Sequence, residues 1–346
     1  MNLSAYFRLP FADHYESFYQ DYREAKLLYS FEELEGCEGF VVAPFQVTEQ
    51  TPIILIEPDM LNTHSQFAGV QTTVPPIADY RDDRVAYSRA FAAFHRELTE
   101  GRMSKVVLSR TADIQVAGRF EFEYELFIRA CQRYPRMFVG LAFVNHNEAW
   151  LTATPEVLLE GRNGQYHTMA LAGTMRLCGD QLSGEGEQVR WAPKDIEEQR
   201  YVASYIADQL KAFGIDYQEC GPRTVRAADL VHLRSDFDFA LPADVPVSRV
   251  LQALHPTPAV CGLPKQESLQ FILHHEQLPR RYYSGFMGLW NWEGNTRLYV
   301  TLRCMVATPD NCRLYAGGGL LKESTEEAEW LETEAKLQTM RGLFNA

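Results

Sequence analysis

The chain has no apolar run approaching the roughly 18 residues that a bilayer-spanning helix needs, so a membrane partner is not expected. Its start, MNLSAYFRLPFADHYESF, lacks a basic stretch followed by an apolar one, and no signal peptide is expected. CxxC pairs are missing. The seven cysteines (Cys37, Cys131, Cys178, Cys220, Cys261, Cys304 and Cys312) are odd in number and scattered. This argues for reduced thiols in a cytoplasmic protein. Basic residues are in deficit: 33 Lys and Arg against 46 Asp and Glu leave a formal charge of −13. A nucleic-acid surface would need a basic patch, so nucleic acid is not an expected partner. The charge leaves a small anionic ligand open, because a metal ion and a few cations can reverse the field inside one pocket. Repeats and low-complexity linkers are also lacking. His275-Glu276 begins like the zinc motif HExxH, but Pro279 stands where its second histidine belongs.

What is present is ordinary for a globular protein: 46% hydrophobic and 23% charged residues over 346 positions. That length can bury a substantial core, and one large domain is expected. Residues 1–75 read as short strands and loops, with VVAPF and PIILIEP as strand candidates. From Tyr80 to Gly101 the pattern turns helical, with Val85, Phe91, Phe94 and Leu98 near one face. A strand over 104–116 and a short helix over 123–133 follow. Residues 137–159 read as two strands, and Asn163–Gly164 marks a hairpin. The stretch from Gly179 to Glu187 is polar and reads as a mobile loop. Residues 194–213 form an amphipathic helix stopped by Gly214. The last hundred residues alternate as strands and end in a helix over 325–344, with Ser324 as N-cap and Glu327 completing a capping box. Strands joined by hairpins pair antiparallel, so an α+β protein is predicted.

Four constellations could carry chemistry. Glu329, Glu332 and Lys336 fall at i, i+3 and i+7, on one face of the final helix. Two carboxylates there suit a hard divalent cation such as magnesium, which keeps places for water and substrate oxygens. The same spacing also describes a solvated helix with a Glu332–Lys336 pair worth a few tenths of a kcal/mol. Gly317, Gly318 and Gly319 end a strand ahead of that helix, where bare amides can approach an anionic oxygen or simply form a tight turn. Lys105 opens an apolar strand. Burial would lower its pKa toward that of a general base, and snorkelling from the strand end would not. Glu156 sits between Pro155 and an apolar run. It is either a carboxyl raised toward a general acid or an exposed edge residue. Glu197 and Glu198 open a helix, where acids also serve the dipole, and His232 lies in a strand.

Ten segments in order resemble the chorismate-utilising enzymes, namely the isochorismate, salicylate, anthranilate and aminodeoxychorismate synthases. They are KVVLSR (105–110), ATPEVLLE (153–160), LAGTMR (171–176), KDIEEQ (194–199), HL (232–233), LHPTPAVCGLP (254–264), YSGFMG (283–288), VTLRC (300–304), LYAGGGL (314–320) and EWLETEAKLQTM (329–340). They place the motif-bearing part within 101–346 and leave 1–100 as a variable N-terminal part. The resemblance implies two large antiparallel sheets packed together with helices outside, chorismate as substrate and magnesium as cofactor. It also implies Glu198 and Glu332 as metal ligands, with Glu329 near the metal through water. Arg303, on the strand before the glycines, and the amides of Gly317–Gly319 would hold substrate carboxylates. Tyr315, His232, Ala172, Gly173, Thr174 and Lys336 would complete the pocket. Lys105 would activate water and Glu156 would protonate the leaving hydroxyl.

Two positions choose among the family's reactions. In aminating relatives glutamine usually replaces Lys105, and in aminodeoxychorismate synthases a lysine that attacks covalently replaces Ala172. Alanine cannot attack, so that route is excluded. No glutaminase segment is visible, so no glutaminase subunit is expected as partner, and the chain would act as a monomer or homodimer. Water as nucleophile leaves isochorismate synthase, of the menaquinone or siderophore type, with salicylate synthase and a non-catalytic chorismate-binding protein as alternatives. Gln199 and Gly318 depart from the histidine and alanine common in the family.

Overall fold

The computed structural model describes residues 3–345 apart from 23, 65–66, 117–121, 178, 180–188 and 310. The polar stretch expected to be mobile after Gly179 lies outside these residues. The N-terminal third supplies β1 (Leu3–Arg8), β2 (Tyr15–Gln20), β3 (Lys26–Leu28), β4 (Gly39–Ala43), β5 (Ile53–Ile56), β6 (Met60–His64), β7 (Ile77–Asp82) and α1 (Arg84–Thr99). Next come β8 (Lys105–Val116), α2 (Glu123–Arg133), β9 (Phe138–Asn145), β10 (Glu148–Thr154), β11 (Val157–Arg162), β12 (Gln165–Arg176) and α3 (Pro193–Ala212). The remainder is β13 (Tyr217–Ala227), β14 (Leu230–Ala240), α4 (Val247–Leu254), β15 (Gly262–Leu263), α5 (Lys265–His275), β16 (Phe286–Trp292), β17 (Asn295–Val300), β18 (Cys304–Ala307), β19 (Cys312–Leu320) and α6 (Glu326–Arg341).

The strands form a ten-stranded sheet, ordered β15-β8-β19-β18-β10-β9-β1-β2-β6 with β7 also on β8, and a nine-stranded sheet, ordered β13-β14-β12-β11-β17-β16-β4-β5-β3. The pairings that position the site, β8–β19, β18–β19, β12–β14 and β16–β17, are all antiparallel. Alternation along each strand gives every sheet two apolar faces. The inner faces meet in one core: Leu3, Ala5 and Phe7 from β1 pack with Phe40 and Val42 from β4, and Phe138 stacks on Tyr299 at 4.2 Å. Outside, α3 and α4 cover the nine-stranded sheet, α2 and α6 cover the ten-stranded one, and α1 and α5 pack on β8. The protein is therefore α+β, with two packed antiparallel sheets and helices outside. Residues before position 100 are built into both sheets: β1 pairs with β9, and β4 pairs with β16. Among the described residues, no helix is long and apolar enough to cross a membrane.

Two helices carry acids inward for a simple reason. On α3, Val202, Ile206 and Leu210 are buried at four-residue steps, and Glu198 continues that stripe. On α6 the buried stripe runs Glu329, Thr333, Leu337, Met340.

Three local expectations are corrected. Thr325, not Ser324, is the N-cap of α6, and no side chain caps it. The Ser324 hydroxyl instead donates to Glu329 Oε1 at 2.7 Å, and Glu327 reaches Arg84. Val85 is 60% exposed, and Tyr87 takes its place on the buried face of α1. Residues 137–159 hold the start of a third strand, β11, because Pro155 and Glu156 break the ladder after β10.

Candidate active site

The glycines Gly317–Gly319 lie inside β19, paired with Ser109, Leu108 and Val107 of β8. The glycines thus lie within a strand and not at its end; β18 pairs with β19 only as far as Tyr315, so the other edge of the glycine run is open, and the glycines supply space as well. By alternation Gly317 and Gly319 face the cavity between the sheets, and Gly318 faces α6. A Cβ on Gly319 would stand 2.1 Å from Glu198 Oε1 and 2.8 Å from Lys105 Cε. One on Gly318 would stand 2.8 Å from Glu329 Oε2 and 3.7 Å from Glu332 Oε1, and one on Gly317 would meet the Tyr283 hydroxyl at 2.7 Å.

Into this space come the carboxylates. Glu198 Oε1 is 3.0 Å from the Lys105 ammonium, which has no exposed surface. That contact is an ion pair off the hydrogen-bonding direction. Glu198 Oε2 accepts from Gly173 N–H at 3.3 Å. Gly173, at φ +68°, sits where the β12–β14 register shifts between Ala172 and Met175. A bulge there turns an amide out of the ladder and toward Glu198. Burial pushes the Glu198 carboxyl up, but the charges of Lys105 and Lys194 more than reverse this, leaving it below the ordinary glutamate range. Glu332 pairs with Lys336 at 2.7 Å, and Lys336 also donates to the Gly317 carbonyl at 2.8 Å. Glu329 is fully buried; burial and the Glu332 charge hold it at about 7 against the pull of Lys194.

Glu156 stands on the cavity wall between β10 and β11, its carbonyl accepting from Val300 N–H. Burial drives its carboxyl up to about 8 despite the nearby charges of Lys105, Lys336 and Arg303, so it is protonated at neutral pH. Arg303 precedes β18 in a left-handed conformation, φ +44°, which few side chains adopt without strain. Its neighbour Leu302 accepts from Thr152 Oγ1, and its own carbonyl accepts from Ala153 N–H. Burial lowers its guanidinium to about 10, still charged at neutral pH. The guanidinium donates to His232 Nε2. His232 is held well below its usual range, by burial first and then by Arg303 and Lys336. The ring is therefore neutral. Its Nδ1–H donates to the Gly173 carbonyl at 2.9 Å, which leaves Nε2 as the acceptor that Arg303 needs.

Glu156, Ala172, Gly173, Thr174, Glu198, His232, Arg303, Gly317, Gly319 and Lys336 line one cavity. Five expected residues do not, among them Glu329 and Glu332, which stand beside Gly318 on the α6 side of β19. Tyr315 lies behind the wall, stacked between Tyr283 and Trp150, and Tyr283 lines the cavity in its place. Gly318 faces away, and Lys105 reaches the cavity only through Glu198. Lys194, Tyr283 and the buried Glu276–Arg280 pair escaped the sequence reading. Arg280 donates to the carbonyls of Val107 and Val260, and Glu276 accepts from Ser109 N–H, so this pair ties two walls together. Only an arginine beside a glutamate at i−4 hinted at it.

The donor set suits a hard cation. It is all carboxylate oxygen, few in number, and Glu329 Oε2 is buried with no hydrogen-bond partner. Among the described residues, no group of three His, Cys, Asp or Glu side chains stands close enough together to hold a metal ion.

Residues 47–345 match the model of the chorismate binding enzyme family. The chain belongs to that family. This chorismate-binding enzyme is 33% identical over 251 residues to the salicylate biosynthesis isochorismate synthase of Pseudomonas aeruginosa, covering 71% of this chain and 52% of that one. It thus spans about half the length of that relative. To the isochorismate synthase DhbC of Bacillus subtilis it is 29% identical, covering 80% and 70%. In fold it is similar to the menaquinone-specific isochorismate synthase MenF of Escherichia coli, with a TM-score of 0.86 at 20% identity, covering 99% of this chain and 89% of that one.

Proposed function

We propose that this chorismate-binding enzyme is an isochorismate synthase that converts chorismate to isochorismate with magnesium. One observation carries the reading: Glu156, Glu198, Arg303 and Lys336 line one cleft, and the buried Lys105 ammonium stands 3.0 Å from Glu198 at its wall. A dicarboxylate ring there has cations for its carboxylates, an acid on one side and an amine on the other. The relatives' names support the same reaction.

Glu198 and Glu332 would hold the magnesium ion, with Glu329 acting through a water. When bound, the ion supplies positive charge against a substrate carboxylate. Arg303, anchored by His232, binds the other end of the charge. With the ion held by Glu198, the Lys105 ammonium would lose its proton to solvent, and the free amine would then take a proton from the water whose oxygen attacks ring C2. The double bonds shift, and the C4 hydroxyl leaves with the proton of Glu156. Lys105 then holds the proton that Glu156 has lost, and exchange with solvent restores both. Each such transfer contributes about 100- to 10,000-fold. Lysine rather than glutamine at 105 favours water over ammonia, and Ala172 leaves no amine for covalent attack. We assign the enzyme to the cytoplasm, to menaquinone or catecholate siderophore biosynthesis, acting without a glutaminase subunit as a monomer or homodimer.

The test is product analysis with chorismate and magnesium. Isochorismate alone is expected. Pyruvate with salicylate would make it a salicylate synthase, and unchanged chorismate would make it a binding protein.

A further inference from the structure

Lys194 takes no part in the reaction above, yet it stands at the centre of the acidic cluster. It lies in the first turn of α3, four residues before Glu198 on the same face. Its ammonium pairs with Glu329 Oε1, and the charges of Glu332 and Glu198 act on it as well. The Lys194 side chain is 22% exposed while that of Glu329 is 1% exposed, so the cation has a way out and its partner does not. Glu329 Oε2 has no hydrogen-bond partner and lies beside the space that Gly318 leaves open. One cation therefore already faces three carboxylates. A divalent ion placed among the same oxygens would repel the ammonium and compete with it for Glu329.

We propose that Lys194 is a built-in counter-cation of the metal-free enzyme, and that a divalent cation enters the cluster by displacing its ammonium from Glu329 toward solvent. This rests on the reading of Glu198, Glu329 and Glu332 as the metal site. The physical logic is that carboxylates gathered in a buried place repel one another unless a positive charge sits among them. Glu198 and Glu332 have Lys105 and Lys336 beside them, so Lys194 is the cation paired with Glu329 when the metal is away, at the cost of weaker metal binding. The displaced ammonium is then available to solvent.

Two measurements on the full chain without substrate test this. The first is manganese binding followed by the electron paramagnetic resonance of the free ion. Lys194→Met is expected to bind on the order of tenfold more tightly than wild type, the gain from removing a competitor that holds the site about nine-tenths of the time. The second uses wild-type protein alone. Labelling of Lys194 by an amine-reactive ester, read by mass spectrometry against exposed Lys322, is expected to rise severalfold on adding magnesium chloride. Equal or weaker manganese binding by a folded Lys194→Met overturns the proposal, as does unchanged labelling. Absence of manganese binding by both proteins removes the metal reading itself, and this inference with it.

Discussion

Gly319 and Glu198 are fitted to each other: the space a Cβ would fill on one is where the carboxylate of the other lies, 2.1 Å from the Cβ position. Gly319→Ala must therefore push Glu198 off the Lys105 ammonium and out of the metal cluster. Displacements of this size at a reacting site cost about 100-fold, so kcat/KM is expected to fall at least that far, with a loss of magnesium activation. Gly318→Ala is the control. Its Cβ would meet Glu329 Oε2 at 2.8 Å and Glu332 Oε1 at 3.7 Å, an overlap less severe than the one at Gly319, and a smaller fall of under about tenfold is expected. Equal losses in the two variants, measured by steady-state kinetics against magnesium, would count against the assigned facing of these residues.

Glu156 dictates the alkaline limb of the rate profile. As general acid it must hold its proton, and burial keeps it protonated up to about pH 8. Activity is expected to fall with a single ionisation near pH 8, and Glu156→Gln should lose turnover by about 100- to 10,000-fold at every pH. The same residue carries a stability signature of definite sign. Its folded pKa is raised above the unfolded 4.5, so between about pH 4.5 and 8 the unfolded chain binds fewer protons than the native one. Stability from this group is full below 4.5 and is lost as pH rises through 8. Glu156→Gln removes that slope, so the variant should gain on wild type by on the order of a few kcal/mol between pH 5 and 8. Denaturant titrations of both proteins at several pH values would show whether the gap opens.

The fold and much of the cleft are legible in the sequence because periodicity survives in it. The stripes Val202–Ile206–Leu210 and Leu337–Met340 announce which helix faces turn inward, and extending them backwards predicts that Glu198 and Glu329 are buried. What sequence cannot show is which side of a strand meets what. The glycine run reads as a strand end because glycines disfavour strands; only the pairing with β8 shows that it is a strand kept bare for neighbouring carboxylates. Tyr283 lies in the turn before β16 and Tyr315 in β19, and only the stacking of Tyr315 on Trp150 shows which of the two is set back from the cavity. Lys194 and Arg280 were invisible for another reason. Each acts through a partner far away in the chain, Glu329 for one and the Val107 carbonyl for the other.

Lys105 is buried with Glu198 as its counter-ion, so removing it has two separable effects. Lys105→Ala takes away the amine that activates water, and turnover should fall by about 100- to 10,000-fold while chorismate still binds through Arg303 and Lys336. It also leaves Glu198 buried with less compensating charge, which typically costs about 3–5 kcal/mol. The melting temperature without metal should drop, and magnesium should restore more of it in the variant than in wild type. Retained activity would remove Lys105 from the chemistry, and an unchanged melting temperature would deny the ion pair its structural weight.

The Arg303–His232 bond gives a prediction about binding rather than chemistry. His232 is neutral, its Nδ1–H committed to Gly173 and its Nε2 to Arg303, so it orients the guanidinium without adding charge. His232→Phe keeps the ring's bulk but removes the acceptor, leaving a buried guanidinium N–H unsatisfied at about 1–3 kcal/mol. Arg303 in its strained backbone has few other ways to aim, so the cost should appear in substrate capture. KM for chorismate is expected to rise about 10- to 100-fold with a smaller change in kcat, since every 1.4 kcal/mol is tenfold. The neutral histidine also predicts that no ionisation near pH 6.5 from this residue appears in the wild-type profile of kcat/KM. A loss confined to kcat, or an acid limb near pH 6.5 that disappears in His232→Phe, would show instead that the imidazole moves protons.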